Sequence, residues 1–285
     1  MSVSSGSKAP MANVSPSWPG WFYANVVTGL ARLVRPTRAR TRPAWCTVRR
    51  FALGIAIVAA LLAILMLFAD ASAFHGARGL PRWIIEAFDQ VTDFGRSGWF
   101  LIPIGILLLL IATLASPALP RMSRAVLAMA SVRLGFLFTA IAIPGVFTSV
   151  VKRIVARGRP YVGSEVDPFL YKLTVWRSDF ASMPSGHTTT AFAAAVAFGT
   201  LWPQLRPLMW TYACVIALSR IATTAHFPSD VVAGAIVGCV GALLVRDWFA
   251  ARGLGFAVHT NGSVFAKPGP SFARLKRLAR RCLGR

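Results

Sequence analysis

The sequence is poor in charged residues, and poorest in acidic ones. Only 14% of its 285 residues are charged, and Asp and Glu together number 9. A typical soluble domain carries about 25% charged residues. Apolar residues make up 55% of the chain, and they are collected in blocks of about 20, the length that crosses the ~30 Å hydrocarbon core of a bilayer. The low charge and the long blocks exclude a soluble globular protein and indicate a polytopic membrane protein.

Cysteine is also scarce, and the N-terminal segment has no apolar core of the kind found in a cleavable signal peptide. The four cysteines, Cys46, Cys214, Cys239 and Cys282, are widely separated, so a disulfide framework and a cysteine metal site are excluded. Residues 1–50 are polar and rich in Pro and Arg. We therefore expect the first long apolar block to act as an uncleaved membrane anchor.

The apolar blocks predict an all-α fold with six transmembrane helices. These cover about 51–69, 98–116, 124–151, 186–202, 208–225 and 230–249. An amphipathic helix is expected over 80–91, between the first two spans. The domains that follow are a basic, largely disordered tail at 1–50, a six-helix membrane domain at 51–250 and a second basic tail at 251–285. The end of that tail, 271–285, is either disordered or an amphipathic helix on the membrane surface.

The formal net charge of +22 is explained by membrane topology rather than by nucleic acid. Sixteen of the 31 Lys and Arg residues lie in the two tails, and no nucleic-acid-binding motif accompanies them. Because cytoplasmic flanks of membrane helices collect Lys and Arg, both termini are expected in the cytoplasm. Eight of the nine acidic residues, all except Asp247, then lie outside.

The first polar cluster at the outer helix ends runs from Lys152 to Pro160. Lys152 and Arg159 are seven residues apart, which is about 10 Å along one face of a helix. Two cations on one face suit a polyanion. The alternative is a positively charged flank of a membrane helix, but such flanks belong on the cytoplasmic side.

The second cluster is Pro184-Ser185-Gly186-His187, directly before the fourth predicted span. A helix N-terminus offers unpaired N–H groups to an anion, and His187 brings a group that titrates near neutral pH. The alternative is an ordinary helix start capped by Ser185.

The third cluster runs from Ser219 to Asp230. Arg220 lies in an apolar stretch, where an ionisable residue is costly and is usually kept for function. A carboxylate at Asp230 can fix the tautomer of His226 and leave its Nε2 as a nucleophile. The alternative is that Asp230 only caps the last helix while His226 fills an interface.

Together the three clusters resemble the signature of the type-2 phosphatidic acid phosphatase superfamily, the lipid phosphate phosphatases. That signature is Lys-x6-Arg-Pro, then Pro-Ser-Gly-His, then Ser-Arg-x5-His-x3-Asp. The chain matches it in order and at every position, with Lys152, Arg159 and Pro160, then Pro184 to His187, then Ser219, Arg220, His226 and Asp230.

The resemblance implies a reaction with a histidine nucleophile. His226 would attack phosphorus and Asp230 would orient it, while His187 would protonate the leaving oxygen and then activate water against the phosphohistidine. Phosphate oxygens would be held by Lys152, Arg159, Arg220, Ser185 and the Gly186 N–H. The resemblance implies no metal and no cofactor, since these cations and a helix end can stabilise the transferred group.

The partners expected are the bilayer and a phosphorylated lipid, with no nucleic acid and no obligatory protein partner. Bacterial members of the family suggest undecaprenyl diphosphate, phosphatidylglycerol phosphate, phosphatidic acid or a lipid A phosphate as substrate. They also suggest a location in the bacterial inner membrane, with the active site facing the periplasm. The alternative function is a non-catalytic protein that binds or transports a phosphorylated lipid. A vanadium-dependent haloperoxidase has a similar anion pocket but is soluble.

Overall fold

A computed structural model of the chain shows a bundle of helices. It describes residues 17–37, 47–163, 165–173, 176–260 and 262–271, and the single positions 273, 274, 276 and 280. Within these residues lie nine α-helices and a two-stranded hairpin: α1 Trp18–Val34, α2 Val48–Phe68, α3 Asp70–Arg78, α4 Arg82–Thr92, α5 Gly98–Leu114, α6 Arg121–Val155, α7 Gly186–Leu201, α8 Arg206–Ala222, α9 Pro228–Ala251, β1 Phe256–Val258 and β2 Val264–Ala266. The predicted all-α membrane fold is confirmed.

Four segments of the described chain are long and apolar enough to cross a membrane. They are Val48–Phe68, Arg82–Leu114, Arg121–Val155 and Pro228–Ala251. The other two predicted spans exist as α7 and α8, with 16 and 17 residues. Helix α5 also has 17 residues, and it reaches the length of a span only together with α4. Helices α7 and α8 have no such extension. At about 1.5 Å per residue, each is a few ångströms shorter than the hydrocarbon core. Four segments, rather than the six predicted, therefore have the length and composition of a full span.

Helix α7 lies at the centre of the bundle, packed against α6, α8 and α9. Its alanines at 191, 193, 194, 195 and 197 have no exposed surface. Small side chains let neighbouring helices approach closely. At the facing positions of α9, a Cβ on Gly234 would lie 2.5 Å from the Ser185 carbonyl oxygen, and one on Gly238 would lie 2.5 Å from that of Thr189. The glycine pair of α9 thus packs inside the subunit.

The outer helices have the opposite character. No residue of α2 is buried, although its span is the most apolar of the four, with a mean hydropathy of 2.9. A side of the bundle that is both apolar and uncovered by protein suits contact with lipid tails. The amphipathic helix predicted over 80–91 is present as α4, whereas α3 was not predicted.

Both terminal segments contain regular structure within the described residues. Helix α1 lies in the N-terminal tail, and β1 pairs antiparallel with β2, placing Phe256 opposite Ala266. The side chain of Phe256 is buried against Phe136 of α6, with ring centroids 4.8 Å apart. Most of the surface helix considered for 271–285 lies outside the described residues.

The contact between α7 and α9 predicts the effect of a single methyl group. Gly238→Ala should lower the free energy of unfolding by about 1–3 kcal/mol, because overpacking forces the two helices apart. Thermal unfolding of the detergent-solubilised protein measures the change. Gly145→Ala on α6 is the matched control, since a Cβ there meets no atom within 4 Å. Equal unfolding temperatures for the two variants would contradict the packing argument.

Candidate active site

The three polar clusters of the sequence meet at one end of the bundle. Lys152 lies in the last turn of α6, Ser185 precedes α7, and His226 lies in the turn between α8 and α9. The Ser185 N–H donates to the carbonyl oxygen of Asp230 at 3.0 Å, which ties the second cluster to the third. Segments almost 80 residues apart in sequence therefore share one site.

His226 and Asp230 lie together, with Ser182 between them. His226 Nδ1 is 3.7 Å from Asp230 Oδ2, which is too long for a hydrogen bond. Ser182 Oγ donates to Asp230 Oδ2 at 2.6 Å and is 3.4 Å from His226 Nδ1. Sequence reasoning did not single out Ser182, although it stands just before the Pro-Ser-Gly-His motif. It holds the carboxylate on the side that faces the imidazole.

Asp230 also caps a helix, as the alternative interpretation of this residue expected. Its Oδ2 accepts a hydrogen bond from the Phe227 N–H at 3.0 Å, at the start of α9. The same carboxylate oxygen, Oδ2, accepts the capping hydrogen bond and faces the imidazole. These two contacts fix the turn that carries His226.

The other oxygen of Asp230 belongs to a buried charge network that the sequence did not reveal. Arg157 Nη1 donates to Asp230 Oδ1 at 2.5 Å, and Arg157 Nη2 donates to Asp70 Oδ2 at 2.7 Å. All three side chains have no exposed surface. Ser229 joins them, since its hydroxyl donates to Asp70 Oδ2 at 2.5 Å and its N–H donates to Asp70 Oδ1 at 3.0 Å. Asp70 and Arg157 lie 87 residues apart, and no local pattern marks such a pair.

The two carboxylates of the network favour the charged form of Arg157. Burial alone would lower the pKa of Arg157, but the Asp230 and Asp70 carboxylates outweigh it and raise that pKa above its ordinary value. The guanidinium therefore stays charged and keeps the Asp230 carboxylate in place behind His226.

Arg220 is oriented toward the site by Thr92 at the end of α4. Its Nη1 donates to Thr92 Oγ1 at 2.7 Å, and Ser219 Oγ donates to the same oxygen at 3.0 Å. Arg220 Nε is buried and has no hydrogen-bond partner among the described residues. A buried donor without a partner is costly, and a phosphate oxygen is the acceptor that would satisfy it.

Arg159 and Lys152 complete the cationic side of the site. Arg159 Nε donates to the Ser178 carbonyl oxygen at 3.2 Å, and its N–H donates to that of Asp179 at 2.8 Å. The charge of Arg159 acts on both Lys152 and His226. Arg159 thus lies within electrostatic range of both Lys152 and the His226 imidazole.

The start of α7 brings Ser185, Gly186 and His187 to the same place. Ser185 makes no side-chain cap hydrogen bond, so the expectation of an ordinary serine cap is wrong. Its hydroxyl accepts from Thr188 Oγ1 at 3.1 Å, and a Cβ on Gly186 would meet no atom within 4 Å. His187 lies within electrostatic range of His226 and Arg220.

Gly95 is a further residue that sequence reasoning missed. A Cβ at this position would lie 2.9 Å from His187 Cδ2 and 2.8 Å from Ile216 Cγ2. The short 3₁₀ turn Asp93–Gly95 therefore packs directly on the imidazole of His187 and limits where it can lie.

Burial and charge also decide the protonation of the candidate nucleophile. Burial lowers the pKa of His226 to about 4; the Asp230 carboxylate raises it in opposition, and Arg220 and Arg159 lower it. The imidazole is therefore neutral at pH 7, as a nucleophile must be. Among the residues that the structure describes, no group of three or more His, Cys, Asp or Glu side chains could hold a metal ion.

Fold and site together define a helical membrane protein built to handle a phosphoryl group. The sequence profile of the PAP2 superfamily matches residues 133–254. The lipid A 1-phosphatase of Rhizobium etli is 32% identical over 207 residues, covering 72% of this chain and 88% of that protein. The decaprenylphosphoryl-5-phosphoribose phosphatase of Mycobacterium tuberculosis is 34% identical over 137 residues, covering 48% and 68%. The crystal structure of Aquifex aeolicus LpxE covers 62% of this chain and 94% of that one, at 21% identity and a TM-score of 0.45.

The chain belongs to the PAP2 superfamily. It is a membrane-embedded lipid phosphatase, a hydrolase. The family resemblance that the three motifs indicated is confirmed.

The buried network predicts different effects for two neighbouring arginines. Arg157→Met should lower the free energy of unfolding by about 3–5 kcal/mol, because it leaves two buried carboxylates without their cation. Adding Asp70→Asn should recover part of that loss. Arg159→Met is the matched control, since Arg159 has no carboxylate within 4.0 Å among the described residues. Chemical unfolding in detergent measures all of these variants, and equal losses for Arg157→Met and Arg159→Met would refute the assignment.

Proposed function

We propose that the protein removes the 1-phosphate from lipid A, or from a closely similar glycolipid, through a phosphohistidine intermediate. The similarity to lipid A 1-phosphatases supports the substrate. It extends over 72% of the chain, and a second relative of that activity, from Rhizobium johnstonii, is 32% identical over 193 residues. The similarity to a decaprenyl-linked phosphatase makes a polyprenyl substrate the second candidate.

The single observation that carries the mechanism is the buried His226 beside Asp230 and Ser182, facing cations with an unsatisfied donor at Arg220. The phosphate oxygens of the substrate would accept hydrogen bonds from Arg220, Arg159 and Lys152. Backbone N–H groups at the start of α7 add further donors. This cradle would hold phosphorus within reach of His226 Nε2.

In the first step Nε2 of His226 forms a bond to phosphorus while the bond from phosphorus to the lipid oxygen breaks. His187 donates a proton to that oxygen, and Asp230 stabilises the positive charge that the His226 ring acquires. In the second step His187 removes a proton from water, whose oxygen attacks phosphorus. The bond between phosphorus and Nε2 breaks, which releases inorganic phosphate and restores His226. The cations stabilise the developing charge in both steps.

A non-catalytic lipid carrier is the weaker alternative. A carrier needs cations to bind the phosphate. It does not need a neutral His226 beside a carboxylate, nor a second imidazole close by. The geometry therefore supports hydrolysis over transport.

The distribution of charge supports an orientation with the site on the periplasmic side of the inner membrane. The candidate residues lie at the end of the bundle formed by the C-terminus of α6 and the N-termini of α7 and α9. The opposite end carries Arg121 and Arg124 at the start of α6 and Arg252 at the end of α9, as cytoplasmic segments do.

The proposal predicts that His226→Ala loses turnover while the protein stays folded. Release of inorganic phosphate from lipid A 1-phosphate should fall by roughly 10⁴-fold or more, because the nucleophile is removed. The assay is run on purified protein in detergent with a panel of lipid A, polyprenyl and glycerolipid phosphates. His75→Ala is the control, since that histidine is exposed on α3. A folded His226→Ala enzyme with normal turnover would refute the mechanism, whereas activity on another lipid alone would refute only the substrate.

The lowered pKa of His226 predicts how the rate depends on pH. In the free enzyme the ring stays neutral as the pH falls through 6.5 and becomes protonated only near the pKa of about 4. Since kcat/KM reports the ionisations of free enzyme and free substrate, it should show no loss from His226 down to about pH 5. The profile is measured with a lipid phosphate of known ionisation and corrected for it. If the corrected kcat/KM still fell as the pH dropped below about 6.5, the prediction would be contradicted.

A further inference from the structure

A second group of cations lies at the end of the bundle opposite the active site. We call Arg35, Arg133, Arg252 and Lys267 the basal cluster. Arg35 donates a hydrogen bond to the Arg252 carbonyl oxygen, and Arg133 donates one to that of Lys267. Lys267 Nζ lies 3.4 Å from the Gly253 carbonyl oxygen. The segment after α1, the middle of α6, the end of α9 and the residue after β2 thus each bring a cation to one place.

Three members of the basal cluster, Arg133, Arg252 and Lys267, have no acidic side chain beside them among the described residues. Within the part of the chain that the structure describes, no carboxylate oxygen lies within 4.0 Å of Arg133, Arg252 or Lys267. The nearby carboxylate in sequence, Asp247, pairs instead with Arg246 at 2.7 Å.

Arg252 is the most constrained member of the cluster. It is only 9% exposed, and its guanidinium carbon lies 3.5 Å from the centroid of the Trp248 ring. Its Nε is buried without a hydrogen-bond partner among the described residues. A buried, unsatisfied donor beside further cations calls for an anionic acceptor.

An apolar cavity of about 420 Å³ opens beside the basal cluster. We call it the α1 slot, because α1 covers it while α5, α6 and the end of α9 form its floor. Leu108, Leu127, Phe138 and Phe249 lie in its wall. It also reaches Val132 and Leu254, the first next to Arg133 and the second two residues beyond Arg252. Its size is within the roughly 300–1,000 Å³ of ligand cavities.

Specific hydrogen bonds hold α1 over the slot. Trp21 Nε1 donates to the Thr113 carbonyl oxygen at 3.1 Å, and Asn25 Nδ2 donates to those of Ala112 and Ala115 at 3.0 Å. At the other end of α1, Trp248 Nε1 donates to the Leu33 carbonyl oxygen at 3.0 Å. The cover of the slot is therefore a docked helix rather than a loose tail.

We infer that this end of the protein binds one anionic phospholipid, with an acyl chain in the α1 slot and its phosphate on the basal cluster. Charge complementarity selects the headgroup, since several cations with an unsatisfied guanidinium donor meet at the mouth of the slot. The apolar wall selects the chain. Basic pockets between membrane helices bind anionic headgroups in this way. This site is separate from the phosphatase site and does not depend on the proposed substrate.

The headgroup part is tested by native mass spectrometry of the full chain in detergent. The probes are phosphatidylglycerol and phosphatidylcholine with identical acyl chains, and we expect the wild type to bind phosphatidylglycerol at least tenfold more tightly. Arg133→Gln with Lys267→Gln should weaken that binding about thirtyfold, given the usual contribution of each cation near a headgroup. Arg121→Gln with Arg124→Gln, which removes two exposed cations of α6, should change it less than twofold. Equal binding of the two lipids by the wild type would overturn the inference.

The slot part is tested by filling the cavity. Gly135 and Gly29 line it, and a Cβ on either meets no atom within 4 Å. Gly135→Leu should lower phosphatidylglycerol binding at least tenfold, and Gly29→Leu provides a second variant on α1 should the first fail to fold. Gly145→Leu, on α6 but outside the slot, is the matched control. Unchanged binding by a folded slot variant would overturn the inference, as would loss of binding in His226→Ala, which would place the lipid in the phosphatase site.

Discussion

The buried Arg157 guanidinium is the constraint on which the active site depends. It bridges Asp70, at the junction of α2 and α3, to Asp230 in the first turn of α9. Burying three charges is unfavourable unless each is compensated, and here Ser229 and Ser182 satisfy the remaining carboxylate lone pairs. The result is that the carboxylate beside His226 is held in place by a buried charge network. In the proposed mechanism, the side chain that stabilises this network also positions the carboxylate behind the nucleophile.

The two sides of the site differ in their hydrogen bonding. On the Asp230 side the carboxylate oxygens have partners, whereas on the Arg220 side one buried donor has none among the described residues. Behind His226, the Asp230 oxygens are occupied by hydrogen bonds from Ser182, Arg157 and the Phe227 N–H. In front of it, Arg220 is held by Thr92 yet keeps a buried donor that has no partner among the described residues. Donors fixed in advance toward the place where charge develops need no reorganisation during the reaction. The unsatisfied donor of Arg220 is thus at the place where the phosphate is proposed to lie.

Hydropathy and motif spacing predicted much of this structure, because both can be read over short stretches of chain. The long apolar spans depend on local composition alone, and the motif residues are marked by polarity at helix ends. The pairing of Asp70 with Arg157 could not be predicted, because it joins residues 87 positions apart that have no shared pattern. The contact between Gly95 and His187 is equally non-local. Helices α7 and α8 lie close to their predicted bounds of 186–202 and 208–225, but with 16 and 17 residues they are shorter than a full span.

The two ends of the bundle use arginine differently, and the difference follows from what lies beside it. At the active site Arg157 is paired with carboxylates and stays in the protein interior, so that Arg220 and Arg159 can be kept for an incoming phosphate. At the opposite end Arg133 and Lys267 meet backbone carbonyl oxygens instead. A carbonyl orients a guanidinium without neutralising it, so the positive charge remains available to an anionic leaflet. Some of the basic residues that the sequence analysis explained by membrane topology thus form a defined, positively charged surface at one end of the folded bundle.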